Sequence, residues 1–337
     1  MDPANTSVAF EGLIDLISER IGGKTIAASD DFFAPKENLL KRGRGEFLPG
    51  KYTDRGKWMD GWETRRRRGP GHDWCIIELG VKGSIHGVDI DTNHFLGNHP
   101  MYASVDACHL QGSAATRKLQ ESSNSWTEIL PRSPLKPGAQ NLFPVGGRDR
   151  WTHLRLNIYP DGGVARFRAY GVALPDWDSV SRTALIDLAA VVNGGTVPAA
   201  SDMFFGSKEN LIMPGRSESM SDGWETRRRR GPGHDWAIIR LGHSGLIRKI
   251  EVDTNHFKGN SPERCSLEIC HEPAGGVDAL SSPDIRWKEL LPETKLSPHK
   301  RHVFAQQLRK PSPATHVRLN IFPDGGVSRL RIWGTLA

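Results

Sequence analysis

Cysteine is scarce in this chain. Four occur in 337 residues, Cys75, Cys108, Cys265 and Cys270, and none stands in a CxxC pair, which argues against a disulfide-built scaffold and a thiolate zinc site. HxH and HExxH spacings are missing as well, so the sequence offers no ready-made metal motif. No apolar run approaches the ~20 residues that a bilayer-spanning helix needs. The opening MDPANTSVAFEG has no basic stretch followed by an apolar one, and the closing GTLA is not a recognised address. These absences lead us to expect a cytoplasmic protein in a reducing compartment, with no membrane partner. Long helices are also disfavoured, because 36 glycines and 22 prolines punctuate the chain.

What is present is charge in an unusual order. The formal net charge is +6, a bias that suits an anionic partner, whether a polymer or a small carboxylate. The string DGWETRRRRGPGHDW fills residues 60–74 and returns letter for letter at residues 222–236. The repetition extends well beyond it. LIDLISERIGG (13–23) matches LIDLAAVVNGG (185–195), and SDDFFAPKENLL (29–40) matches SDMFFGSKENLI (201–212). DTNHF at Asp91 and Asp253, WTEILP and WKELLP at Trp126 and Trp287, and LRLNIYPDGGVAR and VRLNIFPDGGVSR at Leu154 and Val317 follow in the same order. Equivalent positions lie 172 residues apart at Leu13 and Leu185 but 162 apart at Asp60 and Asp222, so the first copy holds ten extra residues, within 41–59. A period this long marks a duplicated domain rather than a solenoid unit. The expected organisation is a first repeat over 1–172, a linker over 173–184 and a second repeat over 185–337.

Each copy opens on one short amphipathic segment, in which Phe10, Leu13, Ile14, Ile17 and Ile21 recur at helical spacing until Gly22-Gly23. The later signals are strands. WCIIELG and WAIIRLG are short apolar runs, and in GVDIDT Val88 and Ile90 alternate with Asp89 and Asp91. Leu154, Leu156 and Ile158 alternate with Arg155, Asn157 and Tyr159, Pro-Asp-Gly-Gly turns the chain, and Phe167 and Ala169 alternate with arginines and Tyr170. That pattern predicts a β-hairpin with one apolar face. The fold class is therefore mainly β, with a β-sandwich, plausible as a jelly roll, in each half.

In an extended segment successive side chains point to opposite faces, so Arg65 and Arg67 are expected on one side and Arg66 and Arg68 on the other. Planar guanidinium grips a carboxylate with two parallel hydrogen bonds, which makes Arg65 and Arg67, with Arg227 and Arg229, candidate substrate-binding residues. The commoner role of a single arginine is a solvated or internally paired side chain, and Asp60, Glu63 and Asp73 stand ready as partners. Glu63, His72, Asp91 and His94, with their repeats Glu225, His234, Asp253 and His256, are the candidate acids and bases, and Asn93 and Asn255 the candidate amide contacts. A carboxylate or imidazole can take a proton from water or give one to a leaving nitrogen. The same residues have bland readings: His72 as turn filler, Asp91 and Asn93 as caps of local backbone. No cofactor is expected; a divalent metal on Asp91, Asn93, His94, His72 and His109 remains a weaker reading. Cys108 and Cys270, at matching positions, read as small buried hydrophobes. Trp74 and Trp236, which lead into apolar strands, are expected in the core, and Trp62 and Trp224 are left open.

These motifs, twice over and in order along almost the whole chain, resemble the allantoicase family. The resemblance implies two jelly-roll, galactose-binding-like domains that hydrolyse allantoate to ureidoglycolate and urea. It implies a small-molecule substrate with one carboxylate and two planar ureido groups, suited respectively to an arginine fork and to Asp, Glu, Asn and His. A homo-oligomer is expected. The rival readings are a non-catalytic sugar- or anion-binding module of the same fold, and a nucleic-acid binder. The acidic residues that bracket each arginine run weigh against a continuous phosphate-binding stripe, so no nucleic-acid partner is expected.

Overall fold

The computed structural model describes residues 10, 13–110, 119, 126–147, 149–272, 280 and 285–337. The chain divides into two compact units, Met1–Leu174 and Pro175–Ala337. Strands of the first are β1 (Ile14–Asp15), β2 (Lys24–Ala28), β3 (Tyr52–Thr53), β4 (Gly56–Lys57), β5 (Trp62–Glu63), β6 (Asp73–Asp91), β7 (Tyr102–Cys108), β8 (Thr127–Pro134), β9 (Leu142–Pro144), β10 (Trp151–Tyr159), β11 (Gly163–Val164) and β12 (Arg166–Ala173). The second repeats this plan with β13 (Ile186–Asp187), β14 (Thr196–Ala200), β15 (Trp224–Glu225), β16 (Asp235–Asp253), β17 (Arg264–Cys270), β18 (Lys288–Lys295), β19 (Arg301–Phe304), β20 (Pro313–Phe322), β21 (Gly326–Val327) and β22 (Arg329–Leu336). The ten extra residues of the first copy carry the small exposed hairpin β3–β4.

One strand organises each unit. The two apolar stretches read above as separate strands are one, the 19-residue β6. Its first part, Asp73–Glu78, pairs with β10 on one side and β2 on the other, and its last part, Gly83–Asp91, pairs with β12 and β9. The strand thus serves two half-sheets in turn, as a sandwich requires. At the crossing, a Cβ on Gly83 would stand 2.3 Å from the Val172 carbonyl oxygen, so only glycine lets the backbones approach. The second unit does the same with β16, between β14 and β20 and then between β19 and β22. Inward residues of both half-sheets form the core: Cys75, Ile77, Val88 and Ile90 from β6, Leu154, Leu156 and Ile158 from β10, Phe167 and Ala169 from β12. Both repeats are mainly β, as two jelly-roll sandwiches should be.

Three local expectations are corrected. The predicted hairpin does not form: β10 and β12 both pair with β6 rather than with each other, because the long β6 offers each a separate edge. Among the described residues 13–21 no α-helix forms. Ile14–Asp15 pairs with Tyr170–Gly171, and only Glu19–Ile21 makes a 3-10 turn, which Gly22 ends at φ 97°. Leu16, Ile17 and Ile21 are still buried, so the apolar spacing recorded core contacts without helical winding. The core expectation for Trp74 and Trp236 is corrected, and the open position of Trp62 and Trp224 is filled. Trp62 and Trp224 are fully buried, each donating its indole N–H to a backbone carbonyl, of Asp30 and Asp202, at 2.8 Å. Trp74 and Trp236 are half-exposed, because their side chains alternate with the core-facing Asp73, Cys75 and Asp235, Ala237. All four cysteines are buried and free.

Candidate active site

The arginine run is largely occupied by its own protein. Arg65 donates to Asp30 through its backbone N–H at 2.6 Å and Nε at 3.0 Å. Arg67 donates its backbone N–H to Asp161 at 2.8 Å and Nη2 to Asp73 at 2.7 Å. Arg227 and Arg229 repeat these contacts on Asp202, Asp324 and Asp235. Arg66, Arg68, Arg228 and Arg230 are exposed and have no polar partner among the described residues. The predicted alternation therefore holds, but the side assigned to substrate is turned to internal carboxylates. Nearby, Glu63 on β5 accepts 2.6 Å from Asn98 Nδ2, and burial pushes its carboxyl above the usual range. Glu225 and Asn260 make the same contact.

The DTNHF turns form a second, separate group. Asp91 is buried and takes Arg44 Nε and Nη2 at 2.8 and 3.0 Å and the Asn93 N–H at 2.9 Å. Asn93 Nδ2 donates to the carbonyls of Arg44 and Gly45. Asp253 binds Arg216 at 3.1 Å and the Asn255 N–H at 3.0 Å, while Asn255 Nδ2 donates to Ser217. His94 and His256 hold left-handed backbone at φ 68° and 69°; His94 lies against Phe47 at 5.6 Å, and the His256 ring bonds the Ser217 carbonyl. These residues fasten a loop to the sheet. Beside them, burial pushes Asp89 up to about 7 despite a bond from Gln140, and its Oδ1 has no partner. His109 bonds the Arg150 carbonyl, and among the described residues no three His, Cys, Asp or Glu side chains converge as a metal site.

His72 and His234 belong to a third place, the polar face of the sheet. The same alternation that buries Leu154, Leu156 and Ile158 turns Arg155, Asn157 and Tyr159 outward, and the register sets them against Asp106, Ser104 and Tyr102 of β7. Asp106 Oδ2 receives Arg155 Nε at 3.0 Å, Arg155 Nη2 at 2.8 Å and Asn157 Nδ2 at 2.8 Å. His72 lies 3.3 Å from Asn157 Oδ1 and stacks 4.6 Å from the Tyr159 ring. In the second repeat Glu268 Oε2 receives Arg318 Nε and Nη2, both at 2.7 Å, and Asn320 Nδ2 at 2.9 Å. In each case one carboxylate oxygen is fixed by three N–H groups, and the other has no protein partner among the described residues. Trp126 and Trp287 support the guanidinium groups at 4.8 and 4.6 Å. The second face forms an open pocket of about 390 Å³ lined by His234, Trp236, Ser266, Glu268, Glu289, Arg318 and Asn320. Asn320 is 5% exposed, and its Oδ1 is buried with no partner, an acceptor left waiting for a donor.

Sequence reasoning thus reached one member of each face, His72 and His234, and missed Asp106, Arg155, Asn157 and their repeats. The signal was present. The outward half of the RLN alternation, Arg155, Asn157 and Tyr159, is polar and able to hydrogen-bond, and only its apolar half enters the reading above.

A duplicated β-sandwich thus carries a carboxylate, an arginine, an amide and an imidazole on one face of each half. The allantoicase repeat family model matches the chain twice, over residues 14–174 and 186–337. The chain is 50% identical over 323 residues to "Probable allantoicase 1" of Burkholderia mallei, covering 96% of this chain and 94% of that protein. It is 51% identical over 323 residues to "Probable allantoicase" of Ralstonia nicotianae, at 96% and 94% coverage. The crystal structure of allantoicase from Saccharomyces cerevisiae superposes with a TM-score of 0.80 at 39% identity, covering 99% of this chain and 97% of that one. The chain belongs to the allantoicase family.

Proposed function

We propose that the polar sheet face is where this chain cleaves allantoate. Membership of the allantoicase family makes it a hydrolase that converts allantoate and water to ureidoglycolate and urea in purine degradation. The observation that carries the placement is the half-satisfied carboxylate, Asp106 or Glu268, held by one arginine and one asparagine in both repeats. Its open oxygen accepts a ureido N–H, and in the second repeat Asn320 Oδ1 accepts another. The planar ureido group then lies among the residues lining the pocket, which include Trp236.

The bond that breaks joins the tetrahedral carbon to a urea nitrogen. His72 or His234 gives that nitrogen its proton, and the open oxygen of Asp106 or Glu268 takes one, from water or from the remaining ureido N–H. One proton leaves water and one arrives on urea, so the account balances for direct displacement and for an imine route alike. Arg65 and Arg67 do not enter this scheme; Asp30 and Asp73 already hold them. The reaction belongs in the cytoplasm, in accord with four free buried thiols. We further read the chain as a homo-oligomer, for which the exposed pair Phe204 and Phe205, 61% and 60% accessible, is the supporting feature.

The test is urea release from allantoate by the purified chain and by a variant carrying Asn157→Ala and Asn320→Ala together. Release by the parent and its loss in a folded double variant support the assignment. Full activity in the double variant sinks it, and no release by the parent returns the chain to a binding module.

A further inference from the structure

The two polar faces share their carboxylate, arginine, asparagine and imidazole but differ in charge at one end. In the first repeat the exposed Arg132 of β8 lies over two neighbouring aromatic rings, its guanidinium carbon 4.7 Å from the Tyr102 centroid and 4.5 Å from that of Tyr159. A cation held over ring faces keeps N–H groups at its edge for other partners. No carboxylate pairs with Arg132 among the described residues. Tyr159 is fixed in turn, its hydroxyl 3.0 Å from Ser104 Oγ and its ring against His72. A guanidinium with no carboxylate partner therefore lies over the ring that packs against the imidazole.

The second repeat has the same positions filled otherwise. Arg264 stands where Tyr102 does, each the register partner of the residue before the PDGG turn, Phe322 or Tyr159. Glu293 stands where Arg132 does, and Arg264 and Glu293 form an ion pair with each other. Phe322 replaces Tyr159 and has no hydroxyl to fix. Arg264 is thus already paired with a carboxylate of its own protein.

We propose that Arg132 binds the carboxylate of the substrate in the first repeat, a contact for which Arg264, paired with Glu293, is no counterpart in the second. This rests on the sheet-face reading above and adds to it the residue that selects for negative charge. A planar fork pre-organised by two rings makes two parallel charge-assisted bonds with little entropy left to lose.

Steady-state kinetics with allantoate test it on the full chain. Arg132→Gln should raise KM by about tenfold to a hundredfold, the range of a lost charged hydrogen bond, with kcat changed far less. Arg132→Lys should recover part of the loss, since it restores charge but not the fork. Arg264→Gln should leave both constants within about twofold, as an exposed pair contributes little. A purely structural stack would instead lower stability without that KM-against-kcat split. The proposal is overturned if Arg132→Gln keeps KM near the parent value, or if Arg264→Gln raises it equally. Should the Asn157/Asn320 double variant remain fully active, the sheet-face reading itself fails; should it be inactive while Arg132→Gln is unaffected, only the role of Arg132 falls.

Discussion

The guanidinium of Arg67 closes on the carboxylate of Asp73 at 2.7 Å, six positions along the same motif, and Arg229 closes on Asp235 in the same way at 2.5 Å. One basic and one acidic letter of DGWETRRRRGPGHDW are thus partners. Asp73 is 3% exposed and also holds Ser29 Oγ at 2.9 Å, so the pair pins the turn between β5 and β6 to the segment that follows β2.

That pairing separates the four arginines by their effect on folding. Arg67→Ala strands a buried carboxylate, and with the arginine a third exposed the loss should be ~2 kcal/mol. Arg66→Ala and Arg68→Ala should stay within about 0.5 kcal/mol of the parent. Urea denaturation of the three variants decides it, and equal losses would remove the clamp from the account.

Catalysis should follow the imidazoles of the sheet face. Replacing His72 and His234 together by Gln is expected to lower kcat by about a hundredfold or more, the usual worth of a positioned proton donor. Replacing Arg65 and Arg227 together by Ala should leave KM within about twofold, since both are exposed side chains engaged on Asp30 and Asp202. A large KM effect in the arginine pair with normal turnover in the histidine pair would move the site back to the arginine run.

Asp89 gives a pH signature. Burial raises its folded pKa to about 7 from an ordinary 3.8, so the fold prefers the neutral carboxyl. Its contribution is full below about pH 4 and is lost as pH rises toward 7, by up to ~1.4 kcal/mol per unit. Asp89→Asn, which cannot ionise, should gain on the parent steadily over that interval. Denaturation curves at pH 4.5 and 7.5 measure the gap; a gap that stays constant contradicts the buried neutral acid.

The tryptophans offer a packing test. Trp62→Ala empties a fully buried site and strands the Asp30 carbonyl, at a cost of ~3–5 kcal/mol. Trp74→Ala, from a half-exposed position, should cost ~1–2 kcal/mol. The reverse order in thermal or chemical unfolding would restore the assignment drawn from strand position alone.

Much of this protein is written locally. The duplication, the strand-rich character and the inward and outward sides of β10 all follow from letters a few residues apart, because a strand alternates faces with period two whatever it later pairs with. That is why Leu154, Leu156 and Ile158 were placed in the core correctly, and why Arg65 and Arg67 were correctly set apart from Arg66 and Arg68.

What the letters left undecided was partnership. Whether Arg67 meets a substrate or Asp73, whether Leu154–Ile158 folds back on Phe167 or across β6, and whether Asn157 meets water or Asp106, 51 residues away, depend on strand order and register. Those are settled by packing the whole sandwich, since one strand's neighbours are chosen by the cores of two half-sheets at once. The repeated motifs determined that two alike domains would form. Only the tertiary structure decided that Arg65 and Arg67 of the arginine run would meet Asp30 and Asp73, and that the polar face would be assembled from β6, β7, β8 and β10.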